Sequence, residues 1–244
     1  MLLAIDIGNT RIKVSVYEET NEIYHGVFEG QKFFDNILKI FEMFPKIEGT
    51  VLSSVGKMDS GLVALLEGKG FLNSIDQNSV VPFVNNYGTP GTLGIDRMVL
   101  AAGSVLNFPK QNRLVIDAGT CVTYDFIGAD DVYLGGGISP GLRLRYESLH
   151  AYTAKLPLLE FKMPEDLIGN STAASIHSGV VYGFISEIDG IISMYQNKFV
   201  DLTIILTGGD ADFLAKYIKN TIFAKSNFLL ESLRDLHLYT INHE

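Results

Sequence analysis

The chain begins with an apolar run over residues 2–7, which a polar turn separates from a stretch of alternating apolar and polar positions. An apolar run of this length predicts a buried strand. The alternation of Ile12, Val14 and Val16 with polar residues predicts a second strand with one buried face. Residues 8–10 have the composition of a tight turn. The start of the chain is therefore predicted to be a β-hairpin.

Helical spacing follows over residues 32–44, where apolar side chains recur every three or four positions until Pro45. Asp59 is placed to cap a short helix further along. The other elements of this half are predicted as strands over residues 50–55 and 80–84, a turn-rich loop over 85–94 and a helix over 95–106. Together these elements predict a sheet with helices attached.

The hairpin pattern returns in the middle of the chain, and this internal repeat is the most informative feature of its organisation. Residues 3–10 and 114–120 each contain an apolar strand, an Asp-x-Gly turn and a hydroxyl residue, roughly 110 positions apart. A repeated unit of this kind predicts two similar lobes. We place them at residues 1–109 and 110–244, because the connector over 107–113 is polar and contains proline.

The second half is otherwise predicted to be mostly helical. A short strand over residues 132–134 enters a run of three glycines, and a long helix is predicted over 172–196. A late strand over 202–206 ends in a Thr-Gly-Gly turn at residues 207–209, and another helix follows. The pattern predicts an α/β fold of two lobes, each a mixed sheet flanked by helices.

Composition and charge narrow the function classes. The net charge of −9 argues against a nucleic-acid or membrane-surface protein, since both need a basic face. Cys121 is the one cysteine, so an intrachain disulfide is excluded and a reducing compartment is expected. The N-terminus lacks the basic segment of a signal peptide, and no apolar run reaches the ~20 residues that span a bilayer. We therefore expect a cytoplasmic protein.

Two aspartates, Asp6 and Asp117, end predicted buried strands and are each followed by glycine and threonine. Glycine lets the backbone approach a phosphate closely, the turn amides can bind phosphate oxygens, and a neighbouring carboxylate can hold Mg2+. One such turn is commonly an ordinary hairpin, but its occurrence in both halves favours two turns that clamp a polyphosphate. The glycine turns at residues 135–137 and 207–209 are compatible with nucleotide binding or with close packing alone.

Asp96 and Arg97 lie where the turn-rich loop enters the predicted helix. A carboxylate at this place can accept the proton of an alcohol, and the arginine can pair with an anionic substrate or a transferring phosphate. The alternative is a favourable negative charge at a helix N-terminus beside a surface arginine.

Competing catalytic patterns are absent or broken. Neither the Gly-x4-Gly-Lys-Ser/Thr loop nor a dinucleotide glycine pattern after the first strand occurs. Residues 137–141 match Gly-x-Ser-x-Gly, but Pro140 follows Ser139 and has no N–H to donate to an oxyanion. A serine hydrolase is therefore disfavoured.

Taken together, four segments resemble those of the bacterial type III pantothenate kinases, a family of actin-like kinases. They are residues 6–10, 94–97, 117–120 and 207–209, with further similarity at Tyr87, Pro90 and residues 149–157. The resemblance covers nearly the whole chain. It implies two actin-like, ribonuclease H-like lobes. It also implies phosphorylation of pantothenate by ATP to 4′-phosphopantothenate, the first step of coenzyme A biosynthesis.

The resemblance further implies residue roles, cofactors and partners. Asp96 would be the general base on the pantothenate hydroxyl, Asp117 would bind a monovalent cation, K+ or NH4+, and Asp6 would lie near Mg2+. ATP would be bound by Asp6, Ile7, Gly8, Asn9, Thr10, Arg11, Ile12, Lys13 and Thr120. Pantothenate would be bound by Tyr87, Gly94, Ile95, Asp96, Arg97 and Thr172. The chain would be a homodimer.

One position departs from the family pattern, and two other readings stay open. Cys121 follows Thr120 where the family usually has alanine, which is a small apolar replacement. The first alternative is another kinase of the same superfamily that acts on a sugar, acetate or a related metabolite. The second is a non-catalytic regulator with this fold, although the acidic charge disfavours DNA binding.

Overall fold

The computed structural model describes residues 1–8, 10–28, 33–54, 56 and 59–243. The elements in chain order are β1 Leu2–Ile7, β2 Ile12–Glu18, β3 Asn21–Phe28, α1 Phe33–Met43, β4 Gly49–Ser54, α2 Ser60–Glu67, β5 Phe71–Ser74, β6 Val84–Asn85, the 3-10 helix Pro90–Thr92, α3 Ile95–Asn107, β7 Asn112–Ala118, β8 Cys121–Ile127, β9 Val132–Pro140, α4 Leu142–Ala151, α5 Thr172–Lys198, β10 Leu202–Thr207, α6 Ala211–Leu214, β11 Phe223–Ala224 and α7 Phe228–Ile241. They form two compact units, residues 1–107 with 227–243 and residues 108–226.

The first unit is built around a mixed five-stranded sheet in the order β3-β2-β1-β4-β5. β1 lies antiparallel to β2, so the predicted opening hairpin is confirmed. Leu3 and Ile5 point to one side of the sheet and pack in one core with residues of α1 and α2. Helices α3 and α7 pack against each other and against β4. Gly103 permits this approach, because a Cβ there would lie 1.9 Å from Oγ of Ser232.

The second unit contains a mixed sheet in the order β11-β10-β7-β8-β9. Its core combines apolar residues of the sheet, such as Leu114 and Leu206, with the buried stripe Phe184, Ile188 and Ile192 of the 27-residue helix α5. A stripe at three- and four-residue spacing is what one buried helix face requires. None of the helices in the described ranges is both long and apolar enough to cross a membrane.

The two units share one strand order. In each, three antiparallel strands are followed across the sheet by two parallel ones, as β3-β2-β1-β4-β5 and as β9-β8-β7-β10-β11. The equivalent central strands are β1 and β7, which carry Asp6 and Asp117. The sequence repeat is therefore a repeat of the fold, and the predicted α/β class with two mixed sheets is confirmed.

Three predicted elements differ from the structure. The strand expected over residues 80–84 is wrong, since only Val84–Asn85 is a strand and Pro82 lacks the N–H that a ladder needs. The strand predicted over 132–134 continues to Pro140, and the helix expected after residue 209 ends at Leu214.

The domain boundaries at residues 1–109 and 110–244 stay a prediction. In the structure, α7 is grouped with the first unit, although it follows the second in sequence. The packing of α7 on α3 accounts for this placement.

Candidate active site

Asp6 lies at the carboxyl end of β1, the central strand of the first sheet. Its side chain is buried, and the hydroxyl of Ser53 donates a hydrogen bond of 2.8 Å to Asp6 Oδ1. Ser53 is the register partner of Asp6 on the parallel neighbour β4. Strand pairing thus supplies the donor that holds this carboxylate in one orientation.

The turn after β1 is closed by the backbone N–H of Gly8, which donates to the carbonyl of Arg11 over 3.0 Å. A Cβ at Gly8 would lie only 3.0 Å from that carbonyl oxygen, so the turn favours glycine. Lys13 faces Asp6 in the antiparallel register, and opposed residues project from the same side of a sheet. The strand pairing therefore puts Lys13 on the same side of the sheet as the Asp6 carboxylate. Asn9, predicted to bind ATP, lies outside the described residues.

Asp117 occupies the equivalent place at the end of β7. The backbone N–H of Gly119 closes this second turn by donating to the carbonyl of Cys121 over 2.9 Å. Here the acceptor lies two residues after the donor, whereas in the first turn it lies three residues after. The second turn is therefore the tighter of the two. Thr120, the predicted ATP contact, is exposed at its tip.

The glycine turn after β10 packs against this second turn. Gly208 has φ of +96°, and a Cβ there would lie 2.3 Å from Asp117 Oδ1 and 2.5 Å from the carbonyl oxygen of Ala118. The backbone N–H of Asp210 donates to the same carbonyl over 3.0 Å. Gly208 is thus needed both for its left-handed backbone and for this close approach.

Two further glycines let the chain pass close to neighbouring backbone. A Cβ at Gly136 would lie 1.5 Å from the carbonyl oxygen of Tyr124 on β8, so the predicted close-packing reading accounts for this part of the glycine run. Gly141 starts the connection from β9 to α4, and its N–H donates to the carbonyl of Thr120 over 3.1 Å. A Cβ at Gly141 would lie 2.2 Å from the carbonyl oxygen of Gly119. The second turn therefore rests directly on this connection.

Asp96 lies in the first turn of α3, where the helix dipole favours a negative charge. Its Oδ1 accepts the backbone N–H of Arg97 over 2.9 Å. A Cβ at position 94 would lie 2.4 Å from the same oxygen, so Gly94 leaves the space that the carboxylate occupies.

The Arg97 side chain is buried, and its guanidinium lies 5.6 Å from the ring centroid of Tyr87. This cation–π contact fixes the arginine against the turn-rich loop. Gln77 Nε2 donates to the carbonyl of Leu93 over 3.2 Å and so ties down the same loop. A cavity of about 210 Å3 beside the loop is lined by Gln77, Asn78, Asn85, Pro90, Gly91, Leu93 and Met98.

Comparison with known proteins gives the family of the chain. A family model described as type III pantothenate kinase matches residues 2–194. The chain is 55% identical to the type III pantothenate kinase of Flavobacterium johnsoniae, with both chains covered completely. It is 48% identical to that of Christiangramia forsetii over 96% of each chain. The chain belongs to the type III pantothenate kinase family.

Solved structures share the fold. One from Campylobacter jejuni, provisionally described as a Baf family transcriptional activator, aligns with a TM-score of 0.61 at 20% identity over 98% of this chain and 99% of that one. A ROK family glucokinase from Streptomyces griseus, in complex with glucose and AMPPNP, aligns with a TM-score of 0.52 at 12% identity over 96% and 98%. At these identities the likeness supports the actin-like kinase fold alone.

The residues predicted from the family pattern are divided between the two units. Residues 6–13, Tyr87 and residues 94–97 belong to the first, and Asp117, Thr120 and Thr172 belong to the second. Within the first unit the structure brings Tyr87 and Arg97 together, and sets Asp96 beside Gly94. Thr172 is the exposed first residue of α5, directly after the capping residue Ser171.

A groove of about 540 Å3 in the second unit begins beside the glycine turn. It is lined by Leu142, Arg143, Tyr146, Glu147, Leu158, Leu159, Glu160, Phe161, Asp210 and Phe213. Phe161 and Phe213 meet edge to face, with their ring centroids 4.8 Å apart. The groove thus combines aromatic surface with carboxylate acceptors.

Sequence reasoning missed Ser53 and Gly141. The strand predicted over residues 50–55 marked Ser53 only as a strand residue, and a single glycine after a Ser-Pro pair gave no separate signal. Within the described ranges, no three His, Cys, Asp or Glu side chains are grouped to hold a metal ion.

Proposed function

We propose that this chain transfers the γ-phosphoryl group of ATP to the hydroxyl of pantothenate, giving 4′-phosphopantothenate and ADP in the first step of coenzyme A biosynthesis. The observation that carries the proposal is the family match over residues 2–194, together with full-length relatives of that name. The same match confirms the predicted enzyme class, an ATP-dependent kinase.

The phosphates of ATP are assigned to the turns after β1 and β7. Both are glycine turns at the carboxyl ends of equivalent central strands, which is where open α/β sheets bind ligands. The backbone amides of such turns bind phosphate oxygens, and Arg11 and Lys13 add positive charge. Residues 6–13 and Thr120 are therefore the proposed phosphate contacts, and the groove beside Asp210 has the aromatic and carboxylate groups that suit a nucleoside.

The described residues fit a Mg2+ ion that enters with the nucleotide. Mg2+ is usually held by one or two carboxylates together with substrate phosphates and water. Asp6 supplies one carboxylate, already oriented by Ser53. When bound, the ion neutralises phosphate charge, and the role of Asp6 is to place it.

Asp96 is the proposed general base. The hydroxyl oxygen of pantothenate attacks the γ-phosphorus, the bond from that phosphorus to the bridging oxygen of ADP breaks, and the hydroxyl proton passes to the Asp96 carboxylate. The N–H of Arg97 holds one oxygen of that carboxylate before substrate arrives. Arg97 itself, fixed over Tyr87, is assigned to the carboxylate of pantothenate.

Three finer assignments follow from the family pattern. Asp117 would bind K+ or NH4+, which would offset the repulsion between its carboxylate and phosphate charge. Thr172 would bind pantothenate, and the chain would form a homodimer. The protein would act in the cytoplasm.

An acceptor panel tests the proposal. Mg-ATP is supplied with pantothenate, glucose or acetate, with K+ or Na+ as the monovalent cation, and products are identified by mass spectrometry. We expect a phosphorylated product from pantothenate alone, with turnover that requires K+. If only another acceptor is phosphorylated, that compound and not pantothenate is the substrate. Equal rates in K+ and Na+ would contradict the assignment of a K+ site to Asp117. A folded protein that is inactive on every acceptor would favour a regulator.

A further inference from the structure

A partly buried ion pair joins the two long helices of the second unit. Nη2 of Arg145 on α4 lies 2.6 Å from Oε2 of Glu187 on α5, with 20% and 27% of the side chains exposed. The hydroxyl of Tyr124 donates to Glu187 Oε1 over 3.1 Å. The guanidinium also lies 5.1 Å from the ring centroid of Phe184. Three contacts among α4, α5 and β8 thus hold the pair in one geometry.

The same guanidinium also binds the end of β9. Arg145 Nε donates to the carbonyl of Pro140 over 2.9 Å, and Nη2 donates to the hydroxyl of Ser139 over 3.1 Å. The next residue, Gly141, donates its N–H to the carbonyl of Thr120. Arg145 is therefore connected to the backbone of the turn after β7 through two residues, Pro140 and Gly141.

The pair is charged at neutral pH. Burial alone would raise the pKa of Glu187, but hydrogen bonds from Arg145 and Ser139 outweigh it and lower the pKa below its usual value. The ionised carboxylate accepts from Nη2 of Arg145, while Nε of the same planar group donates to the Pro140 carbonyl, an arrangement that a lysine cannot reproduce.

We propose that Arg145, held by Glu187, is a positioning residue for ATP: it fixes the Ser139–Pro140 strand end, which leads directly into Gly141, the residue whose N–H donates to the carbonyl of Thr120. The inference rests on the proposed function, because Thr120 is assigned there to ATP. The backbone at Gly141 packs closely against the carbonyl of Gly119. A displacement of the end of β9 would therefore also displace the turn after β7.

The experiment compares three single variants with wild type. Arg145→Lys keeps the charge but loses the fork, and Glu187→Gln keeps the shape but loses the charge. Glu165→Gln is the matched control, since Glu165 pairs with Lys162 at 3.2 Å and its side chain is 87% exposed. Equilibrium binding of Mg-ATP is measured by calorimetry, and the KM values for ATP and pantothenate are measured separately.

We expect the Kd and the KM for ATP to rise on the order of tenfold in Arg145→Lys and Glu187→Gln. The KM for pantothenate should stay within about twofold, and the control should match wild type. A role in stability alone would lower Tm and leave the ATP constants of the folded variants at wild-type values, which overturns the proposal. Calorimetry measures ATP binding without an acceptor. If wild type shows no pantothenate-dependent turnover, the proposed function is refuted, but the role of Arg145 is still tested by the Kd for ATP.

A milder variant decides the matter if the ion-pair variants do not fold. Ser139→Ala removes one contact between Arg145 and β9 but leaves the ion pair and the Pro140 contact in place. We expect a rise of about two- to fivefold in the Kd for ATP with little change in Tm. An unchanged Kd in folded Ser139→Ala would overturn the proposal.

Discussion

The position of the Asp96 carboxylate depends on the missing side chain at Gly94, and Gly94→Ala tests this dependence. A Cβ at position 94 would lie 2.4 Å from Asp96 Oδ1, whereas real Cβ contacts essentially never fall below 3.0 Å. The carboxylate must therefore move by about 0.6 Å or more, and misplacements near 1 Å can reduce turnover about 100-fold. Gly94 has no left-handed φ, so alanine adds no backbone strain there.

We expect kcat of Gly94→Ala to fall roughly 10- to 100-fold, which corresponds to about 1.4–2.7 kcal/mol of activation free energy. The Kd for Mg-ATP should not change, because the atoms nearest to the added Cβ belong to Asp96 and Arg97 and not to residues assigned to ATP. Coupled release of ADP measures kcat, and calorimetry measures Kd. Gly88→Ala is the control, since a Cβ there meets nothing within 4 Å. A kcat of Gly94→Ala equal to that of Gly88→Ala would show that Gly94 does not set the position of the Asp96 carboxylate.

Three further perturbations test the remaining features. Asp6→Asn keeps an acceptor for Ser53 but removes the charge, so the Kd for Mg-ATP should rise at least about tenfold in calorimetry; an unchanged Kd would remove the metal role. Gly208→Ala should cost about 2 kcal/mol or more, because alanine resists φ of +96° and its Cβ meets Asp117, and should lower Tm by roughly 5 °C or more in a calorimetric melt. Burial lowers the pKa of His237 from its usual 6.5, so protonation favours the unfolded chain, and the free energy of unfolding in urea should fall as the pH drops below about 6.5. This pH dependence of the free energy of unfolding should be weaker in His237→Gln than in wild type. The same pH dependence in both proteins would show that other groups cause it.

The central strands and their turns were predictable because their signals are local. An apolar run followed by Asp-x-Gly and a hydroxyl residue predicts strand, turn and strand within a dozen positions, and its recurrence predicted the second lobe. The structure confirms both hairpins and gives the two sheets one strand order. Asp96 was placed at the start of a helix by the same kind of local pattern, and α3 begins at Ile95.

The contacts that hold the candidate site in place could not be predicted, because they join residues distant in sequence. Ser53 reaches Asp6 across 47 positions through strand register. Arg145 meets Glu187 across 42 positions through the packing of two helices. The placement of α7 with the first unit depends on the fit of Gly103 against Ser232. None of these pairs has a periodic signature, since each depends on the tertiary arrangement.

The most direct test of the central claim is pantothenate-dependent release of ADP, measured in K+ for wild type and Asp96→Asn side by side. We expect turnover by wild type that stops without pantothenate. We also expect a loss of kcat of at least about 100-fold in Asp96→Asn with unchanged binding of Mg-ATP. Wild-type turnover that Asp96→Asn retains would contradict the assigned base, and a folded wild type without pantothenate-dependent turnover would contradict the proposed function.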